Sequence, residues 1–185
     1  IFFILPLMVS KPFEGILGSD IISNIAEGII RLVVFLVYVT AISLMPDIRR
    51  VYMYHGAEHM AVHAQEKGNP LTIEEIRKYP TAHPRCGTAF LLTIMVIAIV
   101  VFTFIPRDPL WLVIGSRIVL IPIIASLSYE FIRFSSKYET NKWISKLSIP
   151  NLLLQSLTTK PPDDDQIEVA IRAMELAIST DAKAI

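Results

Sequence analysis

Residues 88–105 read TAFLLTIMVIAIVVFTFI, an apolar run without a charged residue. A helix of about 20 such residues crosses the roughly 30 Å of hydrocarbon in a lipid bilayer. Comparable runs extend over residues 29–45, which contain Arg31, and over residues 110–132, which contain Arg117 and Glu130. Residues 1–9 are a shorter apolar piece with no initiator Met, so we interpret the chain as part of a longer protein. We predict an all-α, polytopic helical membrane bundle with about three full spans and a partial first span.

The composition supports a membrane protein. The mean hydropathy is +0.54, and 53% of the 185 residues are hydrophobic, which is high for a soluble domain. The 17 basic and 17 acidic residues cancel, so no overall field favours nucleic acid, and we expect no nucleic-acid partner. Membrane lipid is the partner that we expect. The chain has one cysteine, Cys86, so it cannot form an intrachain disulfide.

We predict a single domain in four segments. They are transmembrane helices one (partial) and two in residues 1–46, a polar His/Cys segment in 47–87, transmembrane helices three and four in 88–137, and membrane-surface and amphipathic helices in 138–185. Six Lys or Arg residues lie in 47–87 and four more lie directly after the last span, in residues 133–146, whereas the opposite loops hold only Lys11 and Arg107. The positive-inside rule then predicts a multi-pass protein of the cell membrane with its polar segment and C-terminus in the cytoplasm.

All four histidines and the cysteine fall within residues 55–86. His55, His59 and His63 recur at helical spacing, which predicts a helix that ends near Gly68. Thr72 followed by Glu75 predicts a capping box at the start of a second, short helix, TIEEIRKY. Imidazole and thiolate are ligands that Zn²⁺ prefers, so this polar segment is the candidate metal site.

The pattern His55-x-x-Glu58-His59 places two imidazoles on one helical face beside a carboxylate. Both imidazoles can reach one tetrahedral metal ion while the carboxylate polarises a water molecule, as in the HxxEH metallopeptidases. A short motif of this kind also occurs on solvated helices without any metal. His63 continues the same face or lies beyond the site on the surface.

Further ligands could come from a proline-stiffened loop and from the last span. The loop carries His83 and Cys86, and both could bind the metal. The alternatives are a loop hydrogen bond for His83 and a small buried apolar contact for Cys86. Glu130 lies in an apolar span, where a carboxylate binds metal, faces a cavity or pairs with a cation such as Arg133 or Arg85.

Other charged groups favour a structural explanation. Glu27 and Arg31 are four residues apart in the second span, and with Arg117 they are expected to neutralise one another inside the bundle. Asp163, Asp164 and Asp165 lie at a predicted helix start and are explained by capping.

Four motifs in order, YHGAEH, HPRCGT, SYEFIRF and TTKPPDDDQIEVAI, resemble the YqhQ-like family of bacterial integral membrane proteins. That family carries a domain of unknown function and is labelled only as predicted metal-dependent enzymes. Two positions depart from the family pattern, because Met60 stands where lysine is usual and His63 where cysteine is frequent. Family members also carry a glycine-rich segment before the first span. The resemblance implies functional roles for the matching positions His55, Glu58, His59, His83, Arg85, Cys86, Gly87, Glu130, Arg133, Asp163, Gln166 and Glu168.

The leading hypothesis is a zinc-type hydrolase at the cytoplasmic membrane face. Zn²⁺ or a similar divalent ion would be held by His55 and His59 with one or more of the further ligands Glu130, Cys86 and His83. Glu58 would be the general base and Arg85 would stabilise developing negative charge during hydrolysis of a membrane-proximal peptide or lipid substrate.

Two alternatives belong to other functional classes. One is a non-catalytic metal-binding scaffold or assembly protein. The other is a small transporter or channel, a homo-oligomer whose polar path uses Glu27, Arg31, Arg117 and Glu130.

Overall fold

The computed structural model describes residues 2, 4–138 and 141–184, and within them the regular structure is helical throughout. The expected all-α class is therefore confirmed. A short 3₁₀ turn, Lys11–Phe13, follows the first helix. The α-helices are α1 Ile4–Ser10, α2 Glu14–Leu17, α3 Asp20–Ser43, α4 Pro46–Glu66, α5 Ile73–Ile76, α6 Gly87–Thr103, α7 Leu110–Lys137, α8 Lys142–Thr158 and α9 Asp164–Ala184.

Among the residues that the structure describes, two helices are long and apolar enough to cross a membrane. They are Asp20–Ser43, with mean hydropathy 2.1 over its most apolar part, and Trp111–Ser135 within α7, with mean hydropathy 1.9. The expectation of three full spans is wrong, because α6 has only 17 residues and extends about 26 Å. Its apolar run continues to Ile105, but the helix ends at Thr103, just before Pro106, which has no N–H to continue the ladder.

The chain divides into two compact units. The first consists of Ile1–Val39 and Arg85–Asn151, and the second of Thr40–Pro84 and Leu152–Ile185.

In the first unit, α3 and α6 approach closely and α6 packs on α7. A Cβ atom at Gly28 would lie 2.7 Å from the Cγ1 atom of Ile99, so only glycine allows this approach. The Asn24 side chain donates hydrogen bonds to the carbonyl oxygens of Ile105, at 2.8 Å, and Thr103, at 3.4 Å. These bonds satisfy carbonyl groups that the end of α6 leaves without a helical partner.

In the second unit, α4 packs on α9 and α5 through a small apolar core. Ala57, Ala61 and Ala64 are completely buried on one face of α4, and Ile76 and Ile167 fill the space opposite them. Gly56 lies against the backbone after α8, where the N–H of Lys160 donates to the carbonyl of Tyr52 at 2.9 Å. Small residues therefore let other parts of the unit reach the backbone of the histidine-bearing helix.

The helix ends of the second unit follow the sequence signals. After α4, Gly68 adopts φ +69°, as a helix-terminating glycine does. The hydroxyl of Thr72 accepts from the N–H of Glu75 at 3.4 Å, but α5 ends at Ile76, before the expected Tyr79. At the start of α9, the N–H of Asp163 donates to the side chain of Gln166 at 2.9 Å, which is one half of a capping box.

Candidate metal site

The second unit brings all four histidines together in one row. His55, His59 and His63 lie one turn apart on α4, and the ring centroids of His55 and His59 are 4.3 Å apart. The loop after α5 adds His83, whose ring centroid is 4.5 Å from that of His63 and 5.8 Å from that of His59. His59 and His83 are each only 4% exposed. The unit therefore holds a cluster of four imidazoles, which we call the histidine row.

Each imidazole on α4 is oriented by a backbone carbonyl. His55 Nδ1 lies 2.9 Å from the carbonyl oxygen of Thr158, and His59 Nδ1 lies 2.6 Å from that of Thr81. His63 uses its other nitrogen, Nε2, which lies 2.9 Å from the carbonyl oxygen of Ala82. A carbonyl only accepts hydrogen bonds, so each of these nitrogens carries the proton in the neutral ring. The second nitrogen of each neutral ring then keeps its lone pair, which is the usual arrangement of metal-binding histidines.

The loop that carries His83 is fixed by a buried glutamine. The side-chain Oε1 of Gln155 accepts from the N–H of His83 at 2.7 Å, and its Nε2 donates to the carbonyl of His83 at 2.8 Å. Gln155 has no exposed surface, and the hydroxyls of Thr159 and Thr81 lie 3.3 Å apart beside it. The end of α8 therefore positions the loop whose carbonyls orient His59 and His63. Sequence reasoning missed Gln155, although its amide, which follows the apolar residues 152–154, is a signal.

Replacing Gln155 with alanine should lower the free energy of unfolding by about 3 kcal/mol. Two buried backbone groups of His83 would lose their partners, and each such loss costs about 1–3 kcal/mol. Chemical denaturation of the purified protein measures the change. The matched control is Gln65→Ala, because Gln65 is exposed on α4 and should change stability by less than about 0.5 kcal/mol. Equal effects of the two substitutions would show that Gln155 does not hold the loop.

A second group of possible ligands overlaps the histidine row. The ligand atoms of His63, Glu66 and His83 all lie within 4.8 Å of one another. Burial lowers the pKa of His83, although the Glu66 carboxylate 3.3 Å from its Nε2 acts in the opposite direction. His83 is therefore neutral at pH 7 and able to bind a metal through a ring nitrogen. Sequence reasoning did not single out Glu66, whose spacing of three residues from His63 was the available signal.

The remaining predicted site residues have different surroundings. Glu58 is exposed on α4, and in the described part of the chain its carboxylate makes no hydrogen bond or ion pair. Arg85, Cys86 and Glu130 belong to the first unit. Cys86 is buried at the start of α6. Its Sγ caps this helix and lies 3.4 Å from the backbone nitrogen of Thr88. The side chain of Glu130 is 64% exposed and lies 3.6 Å from the guanidinium of Arg133. The ion pair with Arg133, which was the alternative to metal binding, is therefore present.

Comparisons with known proteins agree with the motif resemblance. The model of the family described as "Protein of unknown function (DUF1385)" matches residues 1–180. The chain is 32% identical over 182 residues to the uncharacterized protein YqhQ of Bacillus subtilis strain 168. That match covers 98% of the chain and 57% of the relative, so the chain spans little more than half of the relative's length. No solved structure matches the chain.

Proposed function

We propose that this chain, which belongs to the DUF1385 family of proteins of unknown function, is a membrane protein that binds a divalent metal ion through His55 and His59. The observation that supports the proposal is the orientation of both rings by backbone carbonyls through Nδ1. A ligand set prepared in this way costs little entropy when a metal binds.

The donor set favours Zn²⁺ or an ion of similar preference. Neutral imidazole is a good ligand for zinc, at a metal–nitrogen distance of about 2.0–2.1 Å. The 4.3 Å separation of the His55 and His59 rings suits two ligands of one ion. His83, whose ring centroid lies 5.8 Å from that of His59, is a further imidazole of the same unit. The proposal uses the second unit alone.

We propose hydrolysis of an amide or ester as the reaction, with Glu58 as general base. A bound divalent ion would supply Lewis acidity towards a carbonyl group and an attacking water molecule. Glu58 lies on the α4 turn between the two histidines, and its exposed carboxylate can take a proton from that water. The water oxygen then bonds to the carbonyl carbon, the C–N or C–O bond breaks, and the proton passes from Glu58 to the leaving group.

A membrane-proximal substrate fits the surroundings of α4. The helix begins three residues after the apolar helix Asp20–Ser43 ends. A cavity of about 390 Å³ lies beside its first turns, lined among others by Arg49, Arg50 and Tyr54. We propose a multi-pass protein with this unit on the cytoplasmic side, as the distribution of Lys and Arg favours. Peptide and lipid substrates both have the required amide or ester bonds.

Metal analysis tests the first half of the proposal. Protein purified without chelators and titrated with Zn²⁺ should bind at least one ion per chain, measured by elemental mass spectrometry and calorimetry. Glu58→Gln should bind zinc as tightly as wild type, because Glu58 is a base and not a ligand. Wild-type protein that binds no Zn²⁺ at micromolar concentrations would refute the site.

Activity assays with the same variant test the second half. The zinc-loaded protein should cleave members of a panel of nitrophenyl esters and fluorogenic peptides, and Glu58→Gln should reduce the rate by about 10²- to 10⁴-fold. Zinc bound with no cleavage by wild type, or equal rates for the two proteins, would contradict the enzymatic proposal.

A structural metal site is the second candidate function. The histidine row joins α4 to the loop after α5, and the overlapping group His63, Glu66 and His83 adds ligands from both segments. A metal ion there would tie the two segments together as part of the fold. Removal of zinc by EDTA would then lower the unfolding temperature, and the zinc-loaded protein would cleave none of the esters and peptides.

A further inference from the structure

The cavity of about 390 Å³ beside the first turns of α4 is lined by charges of both signs. Arg49 and Arg50 line it from α4, and Asp163 and Asp165 line it from the start of α9, which packs on α4 in the same unit. The volume lies within the range of about 300–1,000 Å³ that is usual for small-molecule sites. Two positive and two negative side chains therefore share one cavity, and their charges sum to zero.

The α4 side of the cavity offers hydrogen-bond donors. Among the described residues, the guanidiniums of Arg49 and Arg50 make no ion pair and no hydrogen bond, either with the two aspartates or elsewhere. Arg50 lies 5.9 Å from the centroid of the Tyr54 ring, a contact with the π-electrons and not with a hydrogen-bond acceptor. The planar fork of a guanidinium matches two oxygens of a phosphate. This side is therefore suited to a phosphate group.

The α9 side offers acceptors that are held in place. Within the part of the chain that the structure describes, the carboxylates of Asp163 and Asp165 accept no hydrogen bond, whereas Asp164 pairs with Arg77 and does not line this cavity. The buried Gln166 fixes the start of the helix, because its side chain accepts from the N–H of Asp163 at 2.9 Å. Carboxylates accept hydrogen bonds and favour positive charge, so this side is suited to an ammonium group.

We propose that this cavity binds the headgroup of phosphatidylethanolamine, which carries a phosphate and a primary ammonium on one short chain. The phosphate would lie against Arg49 and Arg50, and the ammonium against Asp163 and Asp165. Basic residues directly after a membrane span ordinarily attract anionic lipids. The two carboxylates in the same cavity repel a purely anionic headgroup and reward one that also carries a positive charge.

The position of the cavity favours a lipid over a soluble zwitterion. Leu44, which lines the cavity, is 79% exposed, and its neighbour Met45 is 53% exposed. Both directly follow α3, which is long and apolar enough to cross a membrane. A cavity at the end of such a span lies at the depth of the headgroups, where Leu44 and Met53 can contact the glycerol and acyl chains. The site needs no metal and is independent of the proposed hydrolysis.

Lipid titrations of the purified full chain in maltoside detergent test the proposal. Phosphatidylethanolamine, phosphatidylglycerol and phosphatidylcholine with identical acyl chains are compared, and bound lipid is measured by native mass spectrometry. Phosphatidylethanolamine should bind saturably and at least about 5-fold more tightly than the other two. Phosphatidylglycerol has no ammonium, and the trimethylated ammonium of phosphatidylcholine has no N–H to donate. Equal affinities, or no saturable binding, would overturn the proposal whether or not the protein binds zinc.

Two substitutions test the role of each charge. Asp165→Asn should abolish the preference for phosphatidylethanolamine over phosphatidylglycerol, and Arg49→Gln should weaken binding of both lipids about 5-fold. The matched controls Asp181→Asn and Arg172→Gln remove the same charges from exposed positions on α9 and should change neither affinity. Damage to the fold lowers both affinities together and does not change their ratio. A wild-type preference in Asp165→Asn would therefore refute the ammonium site.

Competition with glycerophosphoethanolamine, the headgroup without acyl chains, separates a lipid from a soluble ligand. It should displace phosphatidylethanolamine only at much higher concentration than the lipid itself requires. No displacement would show that the acyl chains alone bind, and an affinity equal to that of the lipid would show that the ligand is a soluble zwitterion. Either result would overturn the assignment to a lipid headgroup.

Discussion

Substitution of His59 by alanine should reduce the affinity for Zn²⁺ by more than about 100-fold, because loss of an outer partner alone already costs about 10- to 100-fold. His59 has two neighbouring imidazoles, those of His55 and His83, whose ring centroids lie 4.3 and 5.8 Å from its own. Calorimetric titration of the purified protein with Zn²⁺ gives the change directly.

A second substitution at this position separates ligation from structure. In His59→Asn the side-chain amide can donate to the Thr81 carbonyl as Nδ1 does, but nothing replaces Nε2. Both variants should lose zinc affinity, and the asparagine variant should keep more of the stability. If His59→Asn binds zinc like wild type, the ring of His59 is not a ligand and the metal proposal fails.

Substitution of Gly56 by alanine should destabilise the second unit by about 2–4 kcal/mol. The added Cβ would lie 2.3 Å from the carbonyl oxygen of Lys160, which is backbone and cannot rotate away. Overpacking of this kind costs about 1–3 kcal/mol, and the bond from the Lys160 N–H to the Tyr52 carbonyl would be lost as well. Thermal unfolding followed by circular dichroism measures the effect.

The matched control for Gly56 is another glycine in a helix. At Gly115, in α7, an added Cβ would meet no atom within 4 Å, so Gly115→Ala should leave stability unchanged or raise it by up to about 1 kcal/mol. A similar, small change for both substitutions would mean that the segment around Lys160 does not lie against α4. Zinc affinity should fall with Gly56→Ala, because the neighbouring His55 is oriented by Thr158.

Local patterns were sufficient to predict the helices that carry the candidate site. The spacing of the histidines gave α4, Gly68 gave its end, and the Thr72 capping box gave the start of α5. The length of α6 could not be predicted in the same way, because an apolar run does not show where the helix stops. That end depends on Pro106 and on Asn24, which is distant in sequence and satisfies the last carbonyls.

The partners that orient the imidazoles were beyond the reach of sequence patterns. Any residue type can supply a backbone carbonyl, so the sequence does not identify this partner. Thr158, for example, lies 103 residues from His55. The amide of Gln155 bonds to the backbone of His83, which lies 72 residues away in sequence. Because the bond involves no side chain of His83, a search for complementary side chains does not find it. The contacts of Glu27 with Arg31 and Arg117 were predicted, but its contact with Arg107 at 3.3 Å was not. The proposed roles of Cys86, Glu130 and Arg85 stay predictions.

The long reach of these contacts has a consequence for biosynthesis. Gln155 and Thr158 leave the ribosome several seconds after α4, at translation rates of about 5–20 residues per second. Until then the nascent chain has the histidines but lacks the groups that orient His55 and hold the His83 loop. Stable metal loading should therefore follow translation, and ribosome-bound chains arrested before residue 150 should retain little zinc.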